Sequence, residues 1–450
     1  MNFLKRHLPF ADRIRSDRNL KELLRNSGLM YIAGGVSIAL TFLQQITTAN
    51  LIGVEDYGRF AAIMASAMLV MLLVDFRTWE ASAKLLARSL AEKDHDESAS
   101  TVTWLSLVDL ASGLAATLVL VALAAPIAHT MLRAPELTGL VRVYALLIPL
   151  RLSARGVPNT LLRLYGRFDW LSIKSIIYAV LRLVFLSGTA FLGFGLPGVI
   201  IGAVISDLLH TLMLYVMMLT LWRRNTHQTR LLRLDRPRRF REGRRLLQNL
   251  WIGASLKGLQ LETFIPLLAL LTSPEQVGLY RVGLDIAQLV TRLMEPFSIV
   301  IQPTLIQLYE EQPLWEFTRY IKQTTVIALS LVIPFVVGVV LLGPLIFPVV
   351  LSKDYTGVPS VAGLLAIGFG VSSIVLWLRP AIVALDAVQA QNIISFVALV
   401  CSLIGLFLAA PYGANGAALV MAAFLIGYSG ASLVLFLRQI RREKMKEVTG

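Results

Sequence analysis

The sequence predicts an all-α polytopic membrane protein, with about twelve transmembrane helices in two parallel six-helix repeats (6+6) and both termini cytoplasmic. Three observations predict it. The first is composition: of 450 residues, 56% are hydrophobic and 16% charged, with a mean hydropathy of +0.69. No soluble fold hides that much apolar surface from water. The second is length, because apolar stretches of roughly 18 to 25 residues recur and a bilayer core asks for ~20 per helix. The third is where the lysines and arginines fall.

In chain order, the apolar stretches place spans at about 28–50, 60–78, 102–124, 138–157, 170–192, 197–221, 247–271, 280–302, 325–350, 360–378, 393–410 and 415–437. Pro126 and Pro348 extend or kink the third and ninth, since proline is tolerated where neighbouring groups satisfy the freed carbonyl. Residues 1–27 hold seven basic residues and no uninterrupted apolar core, so they read as a cytoplasmic basic segment and not as a secretory signal. Leu8, Phe10, Ile14 and Leu23 would let them lie on the inner membrane surface; a basic tail is the alternative reading.

Alternate connecting segments carry 33 lysines and arginines against four in the intervening ones (Arg59, Arg133, Arg281 and Lys353). The rich side is cytoplasmic. The domain plan is then a basic segment at 1–27, a lobe at 28–222, a basic linker at 223–245, a lobe at 246–437 and a basic tail at 438–450. The net charge of +14 expresses this bias and suits contact with anionic membrane lipids; it does not imply nucleic-acid binding.

Internal echoes support the duplication. Glu55, Gly58 and Phe60 in LIGVEDYGRF match Glu275, Gly278 and Tyr280 in LTSPEQVGLY at an offset of 220. Gly195 and Gly198 match Gly413 and Gly416 at 218. Spans one and seven both start inside, so the repeats are parallel, and facing parallel lobes can rock about a central cleft.

The passage LIGVEDYGRFAAIMASAMLVMLLVDF resembles the first hairpin of polysaccharide transporters of the Wzx type, with Gly53, Glu55, Tyr57, Gly58, Phe60 and Asp75 in the family's places. The turns GLPGVIIGA and GANGAALV are similar to its later turns. After Asp75 the chain departs from the family's small "Leu-Gly" continuation, with Phe76, Arg77, Thr78, Trp79 and Glu80. These transporters belong to the multidrug/oligosaccharidyl-lipid/polysaccharide exporter superfamily. The resemblance implies a flippase of the bacterial inner membrane that moves a polyprenyl-pyrophosphate-linked oligosaccharide for surface polysaccharides such as lipopolysaccharide, O-antigen or exopolysaccharide. It implies no cofactor, and a polysaccharide polymerase or export machinery as a further partner.

Charges inside spans face a cavity or a partner, because the bilayer penalises them. Arg182, Lys257 and Arg292 fall nearest mid-depth, Arg142 nearer the outer side and Lys174 nearer the inner. All five suit a pyrophosphate, though structural pairing or snorkelling is the readier reading of each. Asp285, Arg292 and Glu295, for instance, share one helical face. Lys257 and Arg182, with no acid three or four residues away, are the stronger candidates. Gln44, Gln45 and Thr48 near the end of the first span suit a sugar, or helix–helix hydrogen bonds. Asp207 (with His210 one turn on) and Glu262 are the coupling-ion positions; Asp109 is a further intramembrane acid.

No catalytic or metal site is expected. Gly193 to Gly198 spell GxGxxG without a preceding strand, Asp94-His95-Asp96 lies in a short charged loop, and Cys401 is alone. A dinucleotide site would need its strand–turn–helix context. Two rival functions remain: a multidrug-type cation antiporter, which would favour an acidic or aromatic pocket, and a membrane polymerase or ligase, which would want a large external loop.

Overall fold

A computed structural model describes residues 18–226, 233, 235, 237–248, 251 and 262–449. These form helices and short turns, and no strand occurs among the described residues. Eight of their helical segments are long and apolar enough to cross a membrane. Two of the eight, Ile32–Val74 with 43 residues and Gln389–Glu443 with 55, have length for two crossings each. The protein is a multi-pass membrane protein.

The first helix, α1 (Arg18–Val74), leaves helical geometry at Gly53, where φ is 79° and ψ 167°. The turn expected across 51–60 is therefore one residue wide. Beyond it the chain is helical again, and Glu55 and Asp56 pair with Arg59 at 2.5 and 2.9 Å along one face.

The segment 77–100, expected as a connection, contains the amphipathic helix α2 (Thr78–Ala91), which buries Ala81, Ser82, Leu85, Leu86 and Ser89. Then come α3 (His95–Ala122) and α4 (Ala124–Thr130), parted at Leu123, three residues before Pro126. The fourth expected span, 138–157, falls within one candidate span, Pro135–Leu164, built from consecutive helices α5 (Thr138–Ala145), α6 (Leu147–Arg155) and α7 (Val157–Leu164). Next, α8 (Phe168–Arg182) passes through a π-helical turn, Leu183–Ser187, into α9 (Gly188–Phe191), and α10 (Gly195–Thr226) follows.

The expected seventh span, 247–271, lies largely outside the described residues; its end is α11 (Phe264–Leu271). The chain continues as α12 (Pro274–Ala287), α13 (Leu289–Glu311), α14 (Leu314–Val337), a π-helical turn, α15 (Gly343–Val350), α16 (Val358–Ile374), α17 (Leu378–Ala384), α18 (Val388–Ala409) and α19 (Gly413–Thr449).

Two compact units divide the chain: Met1–Gln44, Val70–Ala122 and Arg142–Lys257 form one, and Gln45–Leu69, Leu123–Val141 and Gly258–Gly450 the other. The first packs Leu86, Leu105, Val157, Leu161 and Trp222 into its core. It also holds the described part of the basic linker. Glu97 accepts backbone N–H bonds from Arg238 (2.8 Å) and Arg239 (3.3 Å). Arg238 pairs with Asp94 at 2.9 Å, Arg239 with Glu92 at 2.8 Å, and Arg233 with Asp96. Asp94-His95-Asp96, expected as a loop, thus leads into α3, and its two acids help clamp the arginines of the linker.

The second unit packs Leu305, Phe317, Ile321, Trp377 and Ile382. Here the two echoed stretches meet. A Cβ on Gly58 would fall on the Pro274 carbonyl, and one on Gly278 on the Val54 carbonyl. The paired glycines let two backbones touch where any side chain would part them. Gly413, with φ 58°, presents the Ala414 N–H to Gln276 Oε1 at 2.8 Å. In the first unit Gly195 has φ 54°. Gly198 and Gly416 each lie against the aromatic residue four places before, Phe194 and Tyr412. The later echo is repeated as local geometry.

Candidate functional site

The first unit contains an open cavity of about 370 Å³ lined by residues of α1, α6, α7, α8 and α10. Helical spacing assembles it. On α8, Lys174 and Tyr178 are four apart, and Arg182 lies four beyond them. On α10, Asp207, His210 and Thr211 share a face, as do Arg151 and Arg155 on α6. Ser37 and Thr41 of α1 complete the wall.

Asp207 is the hub, with its side chain 3% exposed. Arg151 Nε donates to its Oδ2 at 2.6 Å and the Tyr178 hydroxyl to its Oδ1 at 2.6 Å. Arg182 Nη1 stands 3.9 Å from the same Oδ1, donates to the Tyr178 oxygen at 3.4 Å and lies 5.8 Å from the Tyr178 ring centre. The ring of His210 stacks on Tyr178 with centroids 4.1 Å apart. Its Nε2 is buried without a partner.

Lys174 is placed by a backbone defect. Pro158 has no N–H to give the Ala154 carbonyl, and Asn159 Nδ2 supplies that bond at 2.7 Å. The amide oxygen of Asn159 then accepts from Lys174 Nζ at 2.8 Å. Arg155 pairs with Asp75 at 3.3 Å. Three cations therefore line the cavity, Arg151, Arg155 and Lys174, with Arg182 beside them and Asp207 as the lining acid. An anion is the ligand this electrostatic balance favours.

Of the residues chosen from sequence, Lys174, Arg182 and Asp207 come together here. Arg142 is exposed on α5, outside the cavity lining. Arg292 is half-buried on α13 of the second unit. Its proposed neutraliser Asp285 is engaged by Arg281 at 2.9 Å and by the Tyr57 hydroxyl at 3.3 Å. Lys257 lies outside the described residues. Glu262 is half-buried beside α11.

Gln44, in the first unit, is 2% exposed, and its carbonyl accepts from Ser187 at 3.4 Å. In the second unit Thr48 is fully buried and Gln45 Oε1 is buried without a partner. Asn50, from the same polar stretch, braces the end of α15, donating to Val350 O at 2.7 Å and accepting from Ser352 N at 2.9 Å.

Sequence reasoning missed Arg151, Arg155, Tyr178 and Asn159. Both arginines lie near the end of the span expected at 138–157, where basic residues count toward the cytoplasmic connection that follows. The available signal was Asp207, an intramembrane acid that had to have a basic partner.

A family model described as "Polysaccharide biosynthesis protein" matches residues 23–309. The chain belongs to the polysaccharide biosynthesis protein family. This family member is similar in fold to an inward-facing multidrug resistance MATE family transporter of the MOP superfamily, with TM-score 0.74, 15% identity, and coverage of 92% of this chain and 96% of that one. It is similar also to the lipid II flippase MurJ in an inward closed conformation, with TM-score 0.68, 14% identity, and coverage of 94% and 91%. A third structure is a MOP superfamily transporter from Pyrococcus furiosus described by the reverse polarity of its binding pocket, with TM-score 0.62, 16% identity, and coverage of 96% of each chain. No curated protein matches the sequence. The chain thus has the fold of these MOP superfamily transporters.

Proposed function

We propose that this protein is a flippase that carries a polyprenyl-pyrophosphate-linked oligosaccharide across the bacterial inner membrane for surface polysaccharide biosynthesis. It acts by alternating access of two parallel six-helix lobes (28–222 and 246–437), with both termini cytoplasmic and no covalent chemistry. The observation that carries this reading is the cavity whose lining holds three cations, Arg151, Arg155 and Lys174, and one acid, Asp207. A diphosphate needs several donors at once, and arginine offers a planar fork of them. Asn159, Ser37, Thr41 and the Tyr178–His210 stack offer the hydrogen-bonding and ring surfaces a sugar uses.

Asp207 acts as the resident counter-anion. It neutralises Arg151 and Arg182 while the cavity is empty, and the phosphates displace it, so the arginines are never left uncompensated. Lys257, Arg292 and Arg142 serve as further headgroup contacts along the path, Gln44, Gln45 and Thr48 as sugar contacts in an opened state, and Glu262 in coupling.

The fold shared with a lipid II flippase supports a lipid-linked cargo. The shared fold of multidrug transporters keeps drug export as the competing reading, and the cationic lining argues against cationic drugs. Deleting the gene is expected to accumulate a lipid-linked glycan on the inner leaflet, detected by leaflet-specific labelling. Drug hypersensitivity without accumulation would favour the competitor, and accumulation of unpolymerised glycan on the outer leaflet would favour a polymerase.

A further inference from the structure

Asp109, on α3, is used by nothing in the cargo reading. It is 4% exposed. The other buried acids among the described residues are all served: Asp207 by Arg151, Asp285 by Arg281, and Glu97 by two backbone N–H groups. Asp109 has one donor, the Thr78 hydroxyl, 2.5 Å from Oδ1. Its Oδ2 is buried without a partner. No ion pair reaches it among the described residues.

A carboxylate in that setting is costly to keep ionised. The titratable groups facing it do not help. Asp75 repels it and is itself committed to Arg155, and the Tyr215 hydroxyl presents no positive charge. The simplest neutraliser is a proton on Oδ2.

Its position gives the proton leverage. The unpartnered oxygen abuts Gly156, where a Cβ would overlap it. Gly156 is the break between α6 and α7, with φ −71° and ψ −119°. Arg155 and Asn159, on either side, line the cavity. Thr78, the remaining contact, opens α2. One carboxyl therefore joins α3, the start of α2 and the bend in the cavity wall.

We propose that Asp109 is a proton-binding site that couples proton uptake and release to the bend at Gly156. Protonated, it fits dry against the glycine. On losing the proton, the carboxylate demands water, which enters only if α7 moves away from α3. No other bond is made or broken.

The test uses the full chain reconstituted in lipid. Infrared difference spectra between acid and alkaline pH are expected to show a protonated-carboxyl stretch that is lost in Asp109→Asn and kept, shifted in frequency, in Asp109→Glu. Spin labels on α3 and α7 are expected to report a distance that follows pH in the wild type and stays at its acid value in Asp109→Asn. A wild type with no titrating carboxyl band, a band untouched by Asp109→Asn, or a distance that still follows pH in that variant overturns the proposal. Should Asp109→Asn fail to fold, Thr78→Val removes the one hydroxyl on Oδ1, and a carboxyl band that does not move in that variant overturns it equally. None of these readouts needs the cargo, so a flippase reading that fails leaves this test standing.

Discussion

Arg182 and Arg151 hold opposite oxygens of Asp207, and their substitutions separate charge from packing. Removing a charge-assisted hydrogen bond to phosphate costs about 1.5–3 kcal/mol, which is roughly ten- to a hundredfold in affinity. Arg182→Ala and Arg151→Ala are each expected to weaken diphosphate binding by that factor and to reduce export in a complementation assay at normal protein level. The Gln variants should not restore it, because length without charge does not hold a phosphate. Lys257→Ala is expected to behave likewise, and wild-type export by both Arg182→Ala and Lys257→Ala would end the cationic-pocket assignment. Asp207→Asn has the opposite sign for binding: with the resident anion neutralised, affinity for pyrophosphate is expected to rise while thermal stability falls. Lys174, Arg182 and Asp207 were legible in the sequence because a charge in an apolar stretch stands out. Arg151 and Arg155 were not, since near the end of a span a basic residue reads as part of the cytoplasmic connection that follows. The triad of Asp207, Arg151 and Tyr178 joins three helices, and periodicity along one helix cannot report such a meeting.

At the scale of elements, breaks in helices do the positioning. Pro158 frees the Ala154 carbonyl, Asn159 takes it, and the same amide holds Lys174. Asn159→Leu leaves the carbonyl without its donor and the ammonium without its acceptor. The expected loss is about 1–3 kcal/mol, read as a lower melting temperature in detergent together with weaker anion binding. The proline was visible in the sequence; that a neighbouring side chain would repair its defect was not. The membrane-crossing helices found among the described residues were legible from apolar length, whereas α2 was not, because a half-buried surface helix averages to a polar stretch.

Across the whole molecule, the all-helical, multi-pass membrane character was the legible feature. The family match and the MOP-type fold agree with the resemblance that the first hairpin suggested. The basic linker was read chiefly as topology and lipid contact; its described part is also clamped through Glu92, Asp94 and Glu97. The hydrogen bond from Arg239, chiefly, holds the Glu92 carboxyl below its ordinary range. A depressed carboxyl contributes its stabilisation above the unfolded pKa and loses it as pH falls through the lowered folded value. Proteolysis of the 237–248 segment is therefore expected to stay slow at neutral pH and to accelerate only in acid below the usual carboxylate range. Glu97→Gln, which weakens the grip on two backbone N–H groups, should speed cleavage already at neutral pH.

The reciprocal contact of Gly58 with the Pro274 carbonyl and of Gly278 with the Val54 carbonyl makes two distant positions energetically one. Alanine at either must wedge the same pair of helices apart, at about 1–3 kcal/mol for an overpacked contact. Once wedged, the second alanine meets a gap already opened. A double-mutant cycle on Gly58→Ala and Gly278→Ala should therefore be strongly sub-additive, so that losing one glycine relaxes the constraint that keeps the other.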